Sequence, residues 1–458
     1  MVFSSPTFLF FFLPLVVGGY YLMPNKVRNL FLLLASYLFY IWGSVEFVYI
    51  LLGSTAVDFV LSRFINKKRF SGRVAFVVAL ILNIGLLAYF KYANFFVEEF
   101  GALLGIAEGN FVEVILPLGI SFFTFQKISY LVDIYRGEVA RLKNFFDYAL
   151  YIVLFPQLIA GPIVRFHQIR NQLRARTHTF DKFFKGVYRF CIGLSMKVLI
   201  ADTVGGLHNE ISGIVDPSAG MLWLGIFAYA IQIYFDFAGY SSMAIGLGEM
   251  FGFEFPQNFN RPYLSRSITE FWKRWHMTLS GFFKEYVYIP LGGNRGGRVM
   301  MVRNLLLVFL LTGIWHGADW TFFLWGVYFG VLIVLEKLFL GKILAKWPSW
   351  LSQLFTFFLV YLSWVLFQAE SIAVAGETLV RMFSFDGLGD VALLSYTLKV
   401  KLALILAALI SFLPWDSARL RKIERGTYFR VIVIVVLLIN CMTSVAGDLF
   451  HPFLYFRF

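Results

Sequence analysis

Cysteine, carboxylate and charge of any kind are scarce in this sequence. The two cysteines, Cys191 and Cys441, lie in apolar surroundings and offer neither a disulfide framework nor a metal pattern. Charged residues are 15% of the 458, against about 25% in a soluble domain, which excludes a soluble enzyme with a greasy core. No Gly-x-x-x-x-Gly-Lys-Ser/Thr phosphate loop, His-Glu-x-x-His zinc pair or Cys-x-x-Cys is present, so neither coupling to a bound nucleoside triphosphate nor a metal centre is expected. Gly246-Leu247-Gly248 with Gly252 misses the dinucleotide spacing and reads as small residues packing helices. No tandem or inverted repeat and no heptad array stands out.

What is abundant is hydrophobicity, at 59% of residues, with 19% aromatic. It comes in blocks that approach the roughly 20 residues needed to cross a bilayer core about 30 Å thick: Thr7–Met23, Asn29–Tyr49, Val74–Phe90, Met221–Ile233, Trp320–Leu335, Trp350–Phe367 and Val431–Met442. The expectation is an all-α, polytopic integral membrane protein, with about ten to thirteen membrane-embedded helices plus interfacial and re-entrant segments. Residues 1–458 read as a single membrane domain. The first block lacks a basic leader and runs into Pro24-Asn25-Lys26, without a small-residue cleavage site, so it is expected as a retained span.

Lys and Arg outnumber Asp and Glu by 40 to 27. In a membrane protein the positive-inside bias and anionic lipid or ligand binding account for that excess without nucleic acid. The basic connections at Arg63–Arg73, Arg165–Arg176, Asp181–Arg189 and Arg419–Arg430 read as loops that set topology, the first of them cytoplasmic. Ser371–Tyr396 is weakly patterned and is expected to be a loop between late spans.

Residues 255–298 break the pattern. Hydrophobicity falls there while aromatics persist, and Ser267 with Glu270 has capping-box spacing. The spacing predicts one amphipathic interfacial helix running from there toward Tyr286, with Phe271, Trp275 and Leu279 on one stripe and Lys273 off it. Pro290–Arg298 follows as a flexible basic loop. Seven basic residues, Arg261, Arg266, Lys273, Arg274, Lys284, Arg295 and Arg298, face only Glu270 and Glu285, a concentration that suits an anionic ligand at the membrane face.

Among six histidines, His167, His178 and His208 fall in polar stretches and are expected in loops, and His451 lies near the end of the sequence. His316 ends an apolar block, in Gly313-Ile314-Trp315-His316-Gly317-Ala318. An ionisable group at such a place is either functional or hydrogen-bonded inside the bundle, and the local residues leave both open. Gly313, Gly317 and Ala318 would admit a substrate or a neighbouring helix. His276 is a second candidate, with an ordinary interfacial residue as the alternative. Imidazole can take a proton from a hydroxyl near neutral pH while Arg and Lys hold an anionic donor. Asp236 and Glu249 occupy a segment too apolar to leave a carboxylate unpaired; a basic partner or a hydrated cavity is expected.

Leu116–Gln126, Phe155-Pro156-Gln157-Leu158-Ile159-Ala160-Gly161-Pro162, Tyr234–Gly248, Glu270–His276, Tyr288–Arg295 and Trp315-His316-Gly317-Ala318 together resemble the membrane-bound O-acyltransferase family, most closely its members that serve alginate acetylation. The resemblance runs to about Glu336 and is looser over the C-terminal spans, 337–458. Ala238 and Ser242 stand where similar sequences commonly carry Ser and Asp. The resemblance implies His316 as the principal catalytic histidine, His276 as a second functional position, and a bacterial inner-membrane, multi-pass location. It implies transfer of acetyl from cytoplasmic acetyl-CoA, with no permanently bound cofactor, to a periplasmic acetyltransferase partner of the AlgX or AlgJ type acting on exopolysaccharide. Donor-binding residues expected on this basis are Arg261, Trp272, Lys273, Arg274, Trp275, Asn294, Arg295, Trp315 and Asp236. His316 would act as general base or briefly carry the acetyl group. Peptidoglycan, cellulose or D-alanylated teichoic acid are alternative products. A secondary transporter would instead use Asp236 and His316 as solute or proton sites, but the absent repeat and the dense basic aromatic stretch argue against it.

Overall fold

The computed structural model describes residues 2–101, 103, 111–389, 396–413, 427–447 and 453–454. Most of the basic run Arg419–Arg430, and His451, lie outside them. The described residues form helices joined by turns and loops, with no strand among them. Eight of these helices are long and apolar enough to cross a membrane: Arg28–Phe64, Phe70–Phe100, Phe180–Ser212, Ala219–Met250, Gly297–His316, Trp320–Leu344, Ser349–Gln368 and Tyr428–Val445. Shorter apolar helices such as Phe8–Leu22 add to these, so the protein is a multi-pass membrane protein.

Two compact units are present: Met1–Val187 with Ala244–Pro256, and Tyr188–Met243 with Gln257–Phe458. The first is knit by an aromatic cluster in which Phe155 packs on Phe12 and Phe39 at 5.4 and 5.5 Å between ring centroids. It also buries an ion pair, Lys127 with Asp58 at 3.7 Å, completed by Ser54 and Asn83. A Cβ on Gly186 would stand 2.6 Å from the Gly246 carbonyl, so these glycines let two helices touch.

In the second unit, Gly297–His316 and Trp320–Leu335 form a tight helical hairpin. Asp319 caps the second helix by accepting the Thr321 N–H at 2.7 Å. A Cβ on Gly313 would lie 2.9 Å from Gly326 Cα, and one on Gly317 would meet the Phe322 ring. Those small residues therefore admit a helix and a phenyl ring.

Five sequence expectations need correction. Asp181–Arg189, expected as a loop, is helical and lies in Phe180–Ser195, part of the spanning stretch Phe180–Ser212. The helix expected from Ser267 to Tyr286 is two: Ile268–Trp272, and Met277–Phe283 continued by a π-helical turn, Lys284–Tyr288. Between them His276 is left-handed at φ 42°. The stripe survives the break, since Phe271, Trp275 and Leu279 are all buried and Lys273 is exposed. These rings pack on protein: Phe271 stacks on Phe329 and Trp275 packs on Trp364. Only half of the capping box forms: Ser267 Oγ accepts the Glu270 N–H, whereas Glu270 accepts from Arg266 N.

Ser371–Tyr396 contains a helix, Ile372–Met382, started by Ser371 and anchored by buried Ala375 and Met382. His208 is helical and buried, bonding the Gly225 carbonyl, and His167 sits in a single helical turn against Asp133. Pro290–Arg298 is pinned where Asn304 Nδ2 donates to the Leu291 and Gly293 carbonyls, and Gly297 and Arg298 already belong to the next helix.

Candidate active site

His316 is the last residue of its helix and is 2% exposed. Its Nδ1 lies 2.6 Å from the Thr312 carbonyl oxygen one turn earlier. A carbonyl only accepts, so Nδ1 carries the proton and Nε2 keeps the lone pair. The ring is boxed by Trp315 and Trp325, each with its centroid 4.9 Å away, and by Phe367 at 5.5 Å.

His276 has no exposed surface and is fixed by a residue that the sequence did not single out. Asn258 Oδ1 accepts the Thr278 N–H at 3.3 Å and the Thr278 hydroxyl at 2.8 Å, which identifies it as the amide oxygen. His276 Nδ1, 3.0 Å from the same atom, must therefore be a donor. Asn258 Nδ2 donates onward to Ser241 Oγ at 3.0 Å. The backbone is tied as well, with Met277 N donating to Asn258 O and Asn260 N to Arg274 O. These bonds hold a left-handed histidine that would otherwise cost about 1 kcal/mol or more.

Both imidazoles thus present Nε2 as the basic nitrogen. Trp315 lies between them, 6.0 Å from His276 by centroid. Burial first, and the nearby charge of His316 second, hold His276, which lies outside the eight spanning helices, well below the usual histidine range. It is neutral at physiological pH.

Thr312, whose carbonyl orients His316, also lines a narrow cavity of about 210 Å³. Its walls are apolar, with Trp272, Leu279, Phe283 and Phe309 among them, and three exposed lysines border it: Lys273, Lys284 and Lys337. None of the three forms an ion pair among the described residues. Lys337 was not found from the sequence, because it lies beyond the basic segment and reaches the cavity only through the fold.

The expected donor-binding residues divide. Trp272 joins the site through Trp325, 5.7 Å away, and Trp315 touches both histidines. Trp275 packs in the core behind them. Arg274 is committed to Glu270 at 2.8 Å and to the Asn260 carbonyl. Arg261 takes a left-handed turn before Pro262, Asn294 bonds the Tyr288 hydroxyl, and Arg295 is exposed; none of them lines this cavity.

Asp236 is structural in its immediate contacts. Lys197, within a π-helical turn, stands 3.0 Å from Asp236 and 2.6 Å from Asp202, and Asp236 also accepts the Leu454 N–H at 2.7 Å. Its chain neighbour Phe237 packs edge-on against His276 at 4.7 Å, and Phe453 stacks on Tyr240. Lys197 was legible as a lone charge inside an apolar block. Glu249 finds Lys185 at 3.4 Å. Among the described residues, no cluster of three His, Cys, Asp or Glu side chains could hold a metal ion.

Fold and site together define a multi-pass membrane protein with two buried imidazoles on either side of Trp315 and a lysine-bordered apolar cavity at Thr312, one turn before His316. Comparison with known proteins gives that class its chemistry. Residues 75–347, which include both histidines and Lys337, match the model of the membrane-bound O-acyltransferase family. A probable alginate O-acetylase AlgI of Azotobacter vinelandii is 44% identical over 84% of this chain and 78% of its own length. That of Pseudomonas putida is 39% identical over the whole of both chains, and a peptidoglycan O-acetyltransferase of Helicobacter pylori is 36% identical over 84% and 80%. The chain belongs to the membrane-bound O-acyltransferase family and is an O-acyltransferase.

Proposed function

We propose that this enzyme takes acetyl from cytoplasmic acetyl-CoA and passes it across the bacterial inner membrane to a periplasmic acetyltransferase of the AlgX or AlgJ type, which acetylates an alginate-like exopolysaccharide. The similarity to probable alginate O-acetylases supports the polymer and the acyl group. The observation that carries the donor side is the cavity ringed by Lys273, Lys284 and Lys337, whose buried wall includes the residue that orients His316. Its cations match the phosphates of CoA by charge-assisted bonds, and its apolar bore matches the pantetheine arm.

His316 Nε2 accepts the proton of the acceptor hydroxyl as the oxygen attacks the thioester carbonyl. The new C–O bond forms, the C–S bond breaks, and the proton passes to the departing CoA sulfur. General-base help is worth about 10² to 10⁴ in rate, so positioning and polarisation of the carbonyl supply the rest. The Asn258-held imidazole of His276, neutral and facing Trp315, orders the second side of the chamber.

Titration of the purified enzyme with CoA tests the donor side. Reversal of two mouth charges, Lys273→Glu with Lys337→Glu, is expected to weaken binding about tenfold or more. Unchanged affinity would remove the cavity from donor recognition and return its lysines to topology.

A further inference from the structure

A second and larger cleft, of about 850 Å³, lies in the same unit and shares no lining residue with the cavity beside His316. Its volume falls within the roughly 300–1,000 Å³ of ligand sites. One side is the first two turns of the spanning helix Ser349–Gln368, where Ser349, Gln353, Leu354 and Phe357 share a face. Phe412 and Leu264 extend the apolar surface. Trp350, at the start of the helix, lines the cleft and is 66% exposed, the placement of an interfacial tryptophan. Lys337, Lys342 and Lys346 precede that helix, so its start belongs at the cytoplasmic headgroup level by the positive-inside bias.

The charges in the cleft do not cancel. Glu270 is fully used: Oε1 takes Arg274 Nε and Nη2 at 2.9 and 2.8 Å, and Oε2 takes the Arg266 N–H at 2.9 Å. Arg266, an exposed residue, also lines the cleft, and its guanidinium has no ion pair and no hydrogen bond among the described residues. The position of the uncapped helix start at Ser349 adds partial positive charge to the same cleft.

We infer that this cleft binds an anionic phospholipid, with its phosphate on Arg266 and an acyl chain along Leu354, Phe357 and Phe412. Zwitterionic headgroups fit less well, because the one carboxylate that could meet an ammonium group is already held by Arg274. The site is independent of the acyl-transfer reading.

The test is a lipid-exchange titration of the full-length protein, read by native mass spectrometry, with phosphatidylglycerol and phosphatidylcholine of the same acyl chains. The wild type is expected to prefer phosphatidylglycerol by about fivefold to tenfold. Arg266→Gln is expected to remove that preference and Arg266→Lys to keep most of it. Leu354→Trp, which fills the cleft, is expected to weaken retention of both lipids. Equal retention of the two lipids by the wild type would overturn the inference, and needs no variant to fold. An undiminished preference in folded Arg266→Gln would overturn it too, as would displacement of phosphatidylglycerol by saturating CoA, which would make the cleft a donor site.

Discussion

The bond from His276 Nδ1 to Asn258 Oδ1 makes the most informative perturbation a single-atom change, Asn258→Asp. In the wild type a neutral amide oxygen accepts at 3.0 Å, and burial keeps the imidazole neutral. A carboxylate there would face the ring at contact distance. Two unit charges about 4 Å apart at an effective dielectric near 20 interact by about 4 kcal/mol, and after the cost of burying the carboxylate a rise of one to three pH units is expected. The sign follows from the proposed role of His276, which orders its side of the site as a neutral ring: raising its pKa moves the acid limb of the profile toward higher pH. Acetyl transfer followed as kcat/KM from about pH 5 to pH 9 should show that limb displaced by about one to three units, with activity recovering at the alkaline end. An acid limb at the same pH in both proteins would refute the claim that position 258 holds its side-chain oxygen against the His276 ring.

Other expectations follow from contacts in the same unit. Gly313→Ala drives a methyl into the Phe322 carbonyl, one turn before His316; it should cost about 1–3 kcal/mol in unfolding experiments and lower activity more than binding, because small misplacements of a reacting group are expensive. Lys197→Met strands Asp202 and Asp236 and should cost about 3–5 kcal/mol in denaturant unfolding, with Asp236→Leu in the same chain restoring part of it. Acid should destabilise the fold through His276. Its folded pKa is depressed, so the unfolded chain takes up the proton first, and stability present above about pH 6.5 falls by up to about 1.4 kcal/mol per unit below it. Thermal unfolding at pH 7 and pH 5.5 should show that loss, and His276→Gln should remove part of it.

Most of the membrane-spanning helices were legible because length and apolar composition decide them; Phe180–Ser212 was not, because the charges of Asp181–Arg189 read as a loop. His316 stood out as a candidate because an ionisable residue at the end of an apolar block is costly to keep. The division of the Ser267–Tyr286 region was not. Local signals there favour a helix, and the break comes from bonds to Asn258 and Asn260, distant in sequence from the residues they redirect. Asn258 escaped notice because its role depends on three donors converging on one oxygen, a fact of the fold. The basic segment was read as one patch, whereas Lys273 and Arg274, adjacent in sequence, line different cavities. Ser371 shows a signal that was present and overlooked: a serine N-cap before a helix whose buried Ala375 and Met382 lie seven residues apart.

The proposed function rests on proton transfer by His316 Nε2. It is tested most directly by single-turnover transfer of labelled acetyl from acetyl-CoA, comparing the wild type with His316→Gln and measuring CoA affinity on the same preparations. A rate lower by about 10² to 10⁴ is expected, with affinity within about twofold. A glutamine variant that transfers acetyl at close to the wild-type rate would contradict it.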